Sequence, residues 1–191
     1  MFLEHLYPDR TKVITGMFLE LINCAAVVGI AMLMYPILKK QDEALALGYF
    51  GSRIIDSVLL IVSIVALQLL VLLSEQYIAS GAADRNDFQT VAALAVKGHF
   101  AAFDMGMLAL SVGSLIFCYL LYRSKLIPRI ISIIGLIGYA ALFASGCFGI
   151  IGHDVGMVLY IPGAIFEIIF PIWLIVKGFN LSAIDAQAIK K

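Results

Sequence analysis

Charge is scarce in this chain. Of its 191 residues only 14% are Asp, Glu, Lys or Arg, against about 25% in an ordinary soluble domain. The 13 basic and 13 acidic residues cancel, so no basic field exists to hold nucleic acid. Cysteine is scarce too. Cys24, Cys118 and Cys147 stand alone inside hydrophobic runs without a CxxC pair, which excludes a disulfide framework and leaves small packing residues. No GxSxG, Walker loop, dinucleotide fingerprint or HExxH is present; chemistry of the soluble-enzyme kind and a bound cofactor therefore have no support. The first residues, Met1 to Thr11, hold Glu4, His5, Asp9 and Arg10 where a signal peptide has a basic stretch and a short apolar core, so a cleavable signal is not expected. Internal repeats and low-complexity segments are also lacking.

What is there is hydrophobicity: 62% of residues, with a mean hydropathy of +1.02. A water-soluble fold of that composition would expose large sticky patches, a penalty that a lipid solvent removes. The expected fold is all-α, a polytopic transmembrane helical bundle forming a single membrane domain over residues 1–191 with about five spans, each near the ~20 residues that cross the hydrocarbon. The apolar runs cover about 13–38, 45–74, 99–122, 127–151 and 157–179. Pro162 and Pro171 read as interior to the fifth run, where neighbouring helices can satisfy the freed carbonyls. The long connection 75–98 reads as an outer loop, with Gln89–Val96 as a short helix on the membrane surface.

Orientation follows from Lys and Arg near the span ends. With five spans, one side carries Arg10, Lys12, Arg85 and Lys97. The other carries Lys39, Lys40, Arg53, Arg123, Lys125, Arg129, Lys177, Lys190 and Lys191. This bias places the C-terminus in the cytoplasm and the N-terminus outside.

An ionisable group inside a membrane helix costs about 2.5–3.5 kcal/mol on insertion scales and is a functional candidate by default. Arg53 and Asp56, three residues apart, share a helix face and can pair; the bland reading is a structural ion pair, the sharper one half of a cytoplasmic gate. Glu20 and Asn23 share a face of the first run. Asp104 heads a polar stripe with Ser111, Ser114 and Cys118, which should face protein. Glu167 lies mid-span between the two prolines, and Gln68 lies at a similar depth. If Glu20, Asn23, Gln68, Asp104 and Glu167 converge, they line a binding pocket open to the outside; otherwise they are separate interhelical hydrogen bonds.

His99, His153 and Asp154 are weak metal candidates, because a site needs three or four ligands meeting and the spacing supplies no pair. Ala141, Ser145 and Gly149 repeat every four residues, a small-residue stripe suited to internal packing or to a homodimer. Trp173 with Lys177, and Tyr119, Tyr122, Arg123 and Lys125, read as interfacial anchors against membrane lipids. Tyr35-Pro36, Ile127-Pro128-Arg129 and Lys177-Gly178 fall on the same basic rim, which suits anionic headgroups.

Several segments occur together: Leu19-Glu20-Leu21-Ile22-Asn23, Tyr35-Pro36-Ile37-Leu38-Lys39-Lys40, and Ala46-Leu47-Gly48-Tyr49 with Arg53 and Asp56. They are joined by Tyr122-Arg123-Ser124-Lys125-Leu126-Ile127-Pro128-Arg129 and Trp173-Leu174-Ile175-Val176-Lys177-Gly178-Phe179-Asn180. From about Thr15 to Asn180 the pattern resembles the bacterial multi-pass membrane proteins grouped as domain of unknown function 4386. There the acid after the arginine is commonly Glu, so Asp56 is a shorter variant, and one more helix usually begins the chain. The resemblance implies a bacterial plasma membrane and supplies no activity. Three functions stay open: binding or transport of a small molecule, ion or lipid through intramembrane carboxylates; a non-catalytic scaffold or accessory subunit; and a membrane-embedded lipid hydrolase.

Overall fold

The computed structural model describes residues 6, 8–80, 85–151, 153 and 156–180. Their regular structure is helical: α1 (Arg10–Leu38), α2 (Glu43–Ala79), α3 (Arg85–Ser124), α4 (Arg129–Ile150), a 3-10 turn (Gly156–Tyr160) and α5 (Ile161–Lys177). All five α-helices, the last counted from Val158, are long and apolar enough to cross a membrane. The fold is all-α and the chain is a multi-pass membrane protein. Hydrocarbon offers the backbone no hydrogen bonds, and a helix closes them within itself. Side chains such as Ile175, 85% exposed, and Leu33, 76% exposed, are then solvated by lipid without penalty.

Two elements differ from the sequence reading. Helices α2 and α3 have 37 and 40 residues, about 55–60 Å at the usual rise. The outer loop expected over 75–98 contracts to the residues between Ala79 and Arg85. Gln89–Val96, expected as a surface helix, is part of α3 itself. Its alanines favour helix, no proline interrupts it, and Ala92 is buried against Leu70 and Tyr77. The second difference concerns Pro162, which stands in the first turn of α5, where a missing N–H breaks nothing. Only Pro171 is interior there, and Pro36 is interior to α1.

The chain divides into two units. The first comprises residues up to Val27 and Ser57–Gly106. It packs Met17, Ile64 and Val71 in one cluster and Leu70, Tyr77 and Ala92 in another. Tyr77 meets Phe88 edge-on at 5.5 Å, and the Ser57 hydroxyl donates to the Cys24 carbonyl at 3.2 Å.

The second unit comprises Val28–Asp56 and the chain from Met107 onward. Its α1–α2 turn is closed by Asp42, whose Oδ1 accepts from the Leu45 N–H at 3.0 Å, an N-cap that satisfies a free amide of α2. Its core holds a ladder of five rings. Tyr49 stacks on Phe117 at 4.9 Å and Phe117 meets Phe170 edge-on at 5.5 Å. Phe170 stacks on Phe166 at 5.3 Å, and Phe166 meets Tyr139 edge-on at 5.8 Å. The ladder links α2, α3, α5 and α4.

Between lipid-solvated helices the association comes from close packing, which small residues permit. A Cβ on Gly138 would stand 2.5 Å from the backbone N of Gly163, and one on Gly135 would stand 2.5 Å from the Cys118 sulfur. The intimate face of α4 therefore runs through Gly135, Gly138 and Gly146. On the expected stripe Ser145 is buried, Ala141 half-buried and Gly149 exposed. Gly138→Ala should destabilise the protein by roughly 1–3 kcal/mol through overpacking. Gly51→Ala, where a Cβ meets nothing within 4 Å, should be neutral or gain up to about 1 kcal/mol. Thermal unfolding in detergent distinguishes the two.

Candidate functional site

The first turns of α2 carry Arg53 and Asp56 on one face. Asp56 is 1% exposed, and an Arg53 Nη lies 3.6 Å from its Oδ2. That is an ion pair, longer than the ~2.7–2.9 Å of a charge-assisted hydrogen bond. The other Nη of Arg53 donates to the Ser114 hydroxyl of α3 at 3.0 Å. The guanidinium also lies over the Tyr49 ring, 5.6 Å from its centroid, a cation–π contact that gains strength away from water. Helix α3 comes this close because residue 113 is glycine: a Cβ there would collide with the Ser52 hydroxyl. Ser52 in turn donates to the Tyr49 carbonyl at 2.7 Å.

Across the same unit, the Tyr139 hydroxyl of α4 donates to Glu167 Oε1 of α5 at 3.0 Å. The Arg53–Asp56 pair and the Tyr139–Glu167 hydrogen bond stand at the two ends of the aromatic ladder, which runs from Tyr49 to Tyr139. Arg53 Nε and Asp56 Oδ1 are buried without a hydrogen-bond partner, an arrangement that costs about 1–3 kcal/mol per group when nothing else fills it.

The candidate residues from the sequence do not all fall here. Glu167, Arg53 and Asp56 belong to the second unit, whereas Glu20, Asn23, Gln68 and Asp104 belong to the first. Glu20 and Asp104 are half-buried; Asn23 and Gln68 are exposed. The stripe below Asp104 turns inward: Ser111, Ser114 and Cys118 are fully buried, and Ser114 is the partner of Arg53. Sequence reasoning missed Tyr139 and Tyr49. A tyrosine set one helical turn from Arg53, as Tyr49 is, was the available signal; nothing in the sequence marked Tyr139.

The histidines are occupied differently. His99 Nδ1 lies 2.6 Å from the Ser63 hydroxyl and 3.0 Å from the Ser63 carbonyl, tying α3 to α2 within the first unit. Ser63 is fully buried, which leaves no approach for a substrate and so does not favour a hydrolytic dyad. His153 is exposed, and Asp154 lies outside the described residues. Among the described residues no three His, Cys, Asp or Glu side chains meet as a metal site.

A family model described as Domain of unknown function (DUF4386) matches residues 1–178. Comparison with curated proteins and with solved structures gives no match.

Neutralising one member of the pair should be worse than neutralising both. Arg53→Gln leaves the buried Asp56 carboxyl without its cation and should cost about 3 kcal/mol. Adding Asp56→Asn should recover part of that loss, as read from unfolding in detergent. Ser114→Ala, which removes one hydrogen bond, should cost roughly 0.6–1.7 kcal/mol.

Proposed function

Since the chain belongs to the DUF4386 family, which assigns no reaction, we propose from the geometry of its spans that it binds and moves a small cation. The proton comes first, a monovalent metal cation second. The observation that carries this reading is the charge gathered in one unit: the Arg53–Asp56 pair at 3.6 Å and, at the other end of the aromatic ladder, the Glu167 carboxyl on the Tyr139 hydroxyl. Such a set of charges in hydrocarbon is neutral only when it holds one further positive charge, and an unbalanced charge in lipid is costly. A proton or a metal cation on either carboxyl supplies it.

The two carboxyls are unequally placed. Asp56 is buried against Arg53, whereas Glu167 is exposed on α5 with the Tyr139 hydroxyl as its hydrogen-bond donor. Glu167 is therefore the group that exchanges its charge with the surroundings, and Asp56 is the fixed counter-ion of Arg53. Tyr139 holds Glu167 in place by donating to it at 3.0 Å. Pro171, four residues beyond Glu167, frees a carbonyl of α5 at that level, a feature shared with ion sites in discontinuous helices.

In this reading the chain sits in a bacterial plasma membrane, C-terminus in the cytoplasm and N-terminus outside, as nine basic residues against four favour. A fluorescent protein fused after Asn180 should then fluoresce, and alkaline phosphatase fused there should be inactive; the opposite pair of results would invert the topology.

The test of function is Glu167→Gln. An amide oxygen still accepts from Tyr139, so the fold persists, while the exchangeable charge is gone. In liposomes with a trapped pH dye, proton flux driven by a potential should fall at least about tenfold, one 1.4 kcal/mol step. Repeating it with sodium and potassium gradients separates a proton from a metal cation. The scaffold reading is favoured by the way Ser114, Tyr139 and Gly138 tie the helices together. It wins if wild type and variant carry nothing and differ only in stability.

A further inference from the structure

A second basic feature of the same unit lies at the helix ends, and it concerns a different ligand. Beyond α3 the chain turns sharply at Lys125, whose φ of 56° is the left-handed conformation. Leu126 and Ile127 are buried, and α4 then starts after Pro128 with no side chain capping its N-terminus. At the far end of α5, Gly178 has φ 69° and closes the helix through its N–H to the Leu174 carbonyl. That turn directs the chain back to the α3–α4 connection. The Asn180 N–H donates to the Leu126 carbonyl at 2.9 Å, and its side-chain amide to the Lys125 carbonyl at 3.5 Å.

This docking frames an open cleft of about 540 Å³, lined by Lys125 to Arg129 on one side and by Trp173 and Lys177 to Asn180 on the other. The volume is in the range of small-molecule sites. Three of its residues, Lys125, Arg129 and Lys177, are cations and none is acidic. Among the described residues none of the three is paired with a carboxylate; Arg129 lies over the Tyr122 ring at 5.2 Å. The uncapped amides of the first turn of α4 add partial positive charge on the same side.

We propose that this cleft is a binding site for the phosphate headgroup of an anionic glycerophospholipid. The cations and the α4 N-terminus select an anion; three features make that anion an amphiphile rather than free phosphate. The cleft lies where three membrane-crossing helices end, the depth of the headgroups. Trp173 in its wall is the residue type that prefers the boundary between headgroup and acyl chain. The same two helix ends present Ile130, Ile172, Ile175 and Val176 exposed, an apolar surface for acyl chains beside a basic mouth. The lipid's phosphate meets Lys125, Arg129 and Lys177, its glycerol lies against Trp173 and Phe179, and its chains run along the outer faces of α4 and α5. This site stands apart from the charge centre at Arg53 and does not depend on the transport reading.

The experiment is native mass spectrometry and a binding titration on the full chain, delipidated in detergent and then offered phosphatidylglycerol, phosphatidylcholine or inorganic phosphate. Wild type should retain phosphatidylglycerol in preference to phosphatidylcholine, and excess inorganic phosphate should not displace it. Lys125→Gln, Arg129→Gln and Lys177→Gln should each weaken phosphatidylglycerol about fivefold, the effect of one charge near an anionic surface. Each single variant also reports its own thermal unfolding, so a folding defect is seen as such, and Trp173→Phe keeps the charges while testing the glycerol contact. Equal retention of both lipids, displacement by inorganic phosphate, or unchanged affinity in all three charge variants overturns the proposal.

Discussion

Hydrocarbon supplies no hydrogen bond, and this one constraint orders everything else in the molecule. It restricts the backbone to helices, which satisfy themselves. It also withdraws the ordinary reason for helices to associate, because lipid solvates an isoleucine as well as another isoleucine does. Association then rests on two things that lipid cannot offer: backbone brought within contact distance, and polar groups given partners. Gly138 against Gly163, and Gly135 against Cys118 and Phe166, are the first kind. Arg53 on Ser114 and Tyr139 on Glu167 are the second. The ladder from Tyr49 to Tyr139 fills the space between them with rings whose edge-on and stacked pairs add about 0.5–1.5 kcal/mol each beyond their area.

The two basic features of the second unit obey opposite electrostatics. Around Arg53 the charge is taken out of water and must be balanced at once, by Asp56, by a hydroxyl and by a ring face. Little is gained there by the ion pair itself, since desolvation offsets most of the attraction; its effect is to make any further change of charge costly, and therefore consequential. At the α4–α5 end the cations remain exposed, keep their solvation and, among the described residues, lack carboxylate partners. Such charges bind what approaches them. The two proposals follow that contrast: a charge held and released within the spans at the one, a ligand drawn from the membrane surface at the other.

Much of this was legible in the chain itself, and for definite reasons. A long apolar run with few charges has only one stable form in lipid, so the helices and their number followed from composition. The pairing of Arg53 with Asp56 followed from a spacing of three on a helix. Glu167 stood out because a carboxyl between two prolines in an apolar run has no bland local explanation. What failed was local in a different way. Gln89–Val96 has the mixed polarity of a surface segment, but helix propensity together with the burial of Ala92 and Tyr77 carried α3 through it. Pro162 read as interior to the fifth span because the sequence did not show that the helix begins one residue earlier, after a 3-10 turn.

The sequence by itself determined the solvent, the helical character and number of the spans, and the identity of the costly residues, because each of these depends on side-chain chemistry and on helical periodicity alone. Only the tertiary structure decided who meets whom. Ser114 and Tyr139 are an ordinary serine and tyrosine until α3 and α4 bring them to Arg53 and Glu167. Gly135, Gly138 and Gly146 matter above Gly149 only because of what packs against them. Lys125, Arg129 and Lys177 line one cleft because Asn180 folds back onto the α3–α4 turn. Those partnerships join residues from 17 to 61 positions apart, and no short-range rule of spacing reaches across that distance.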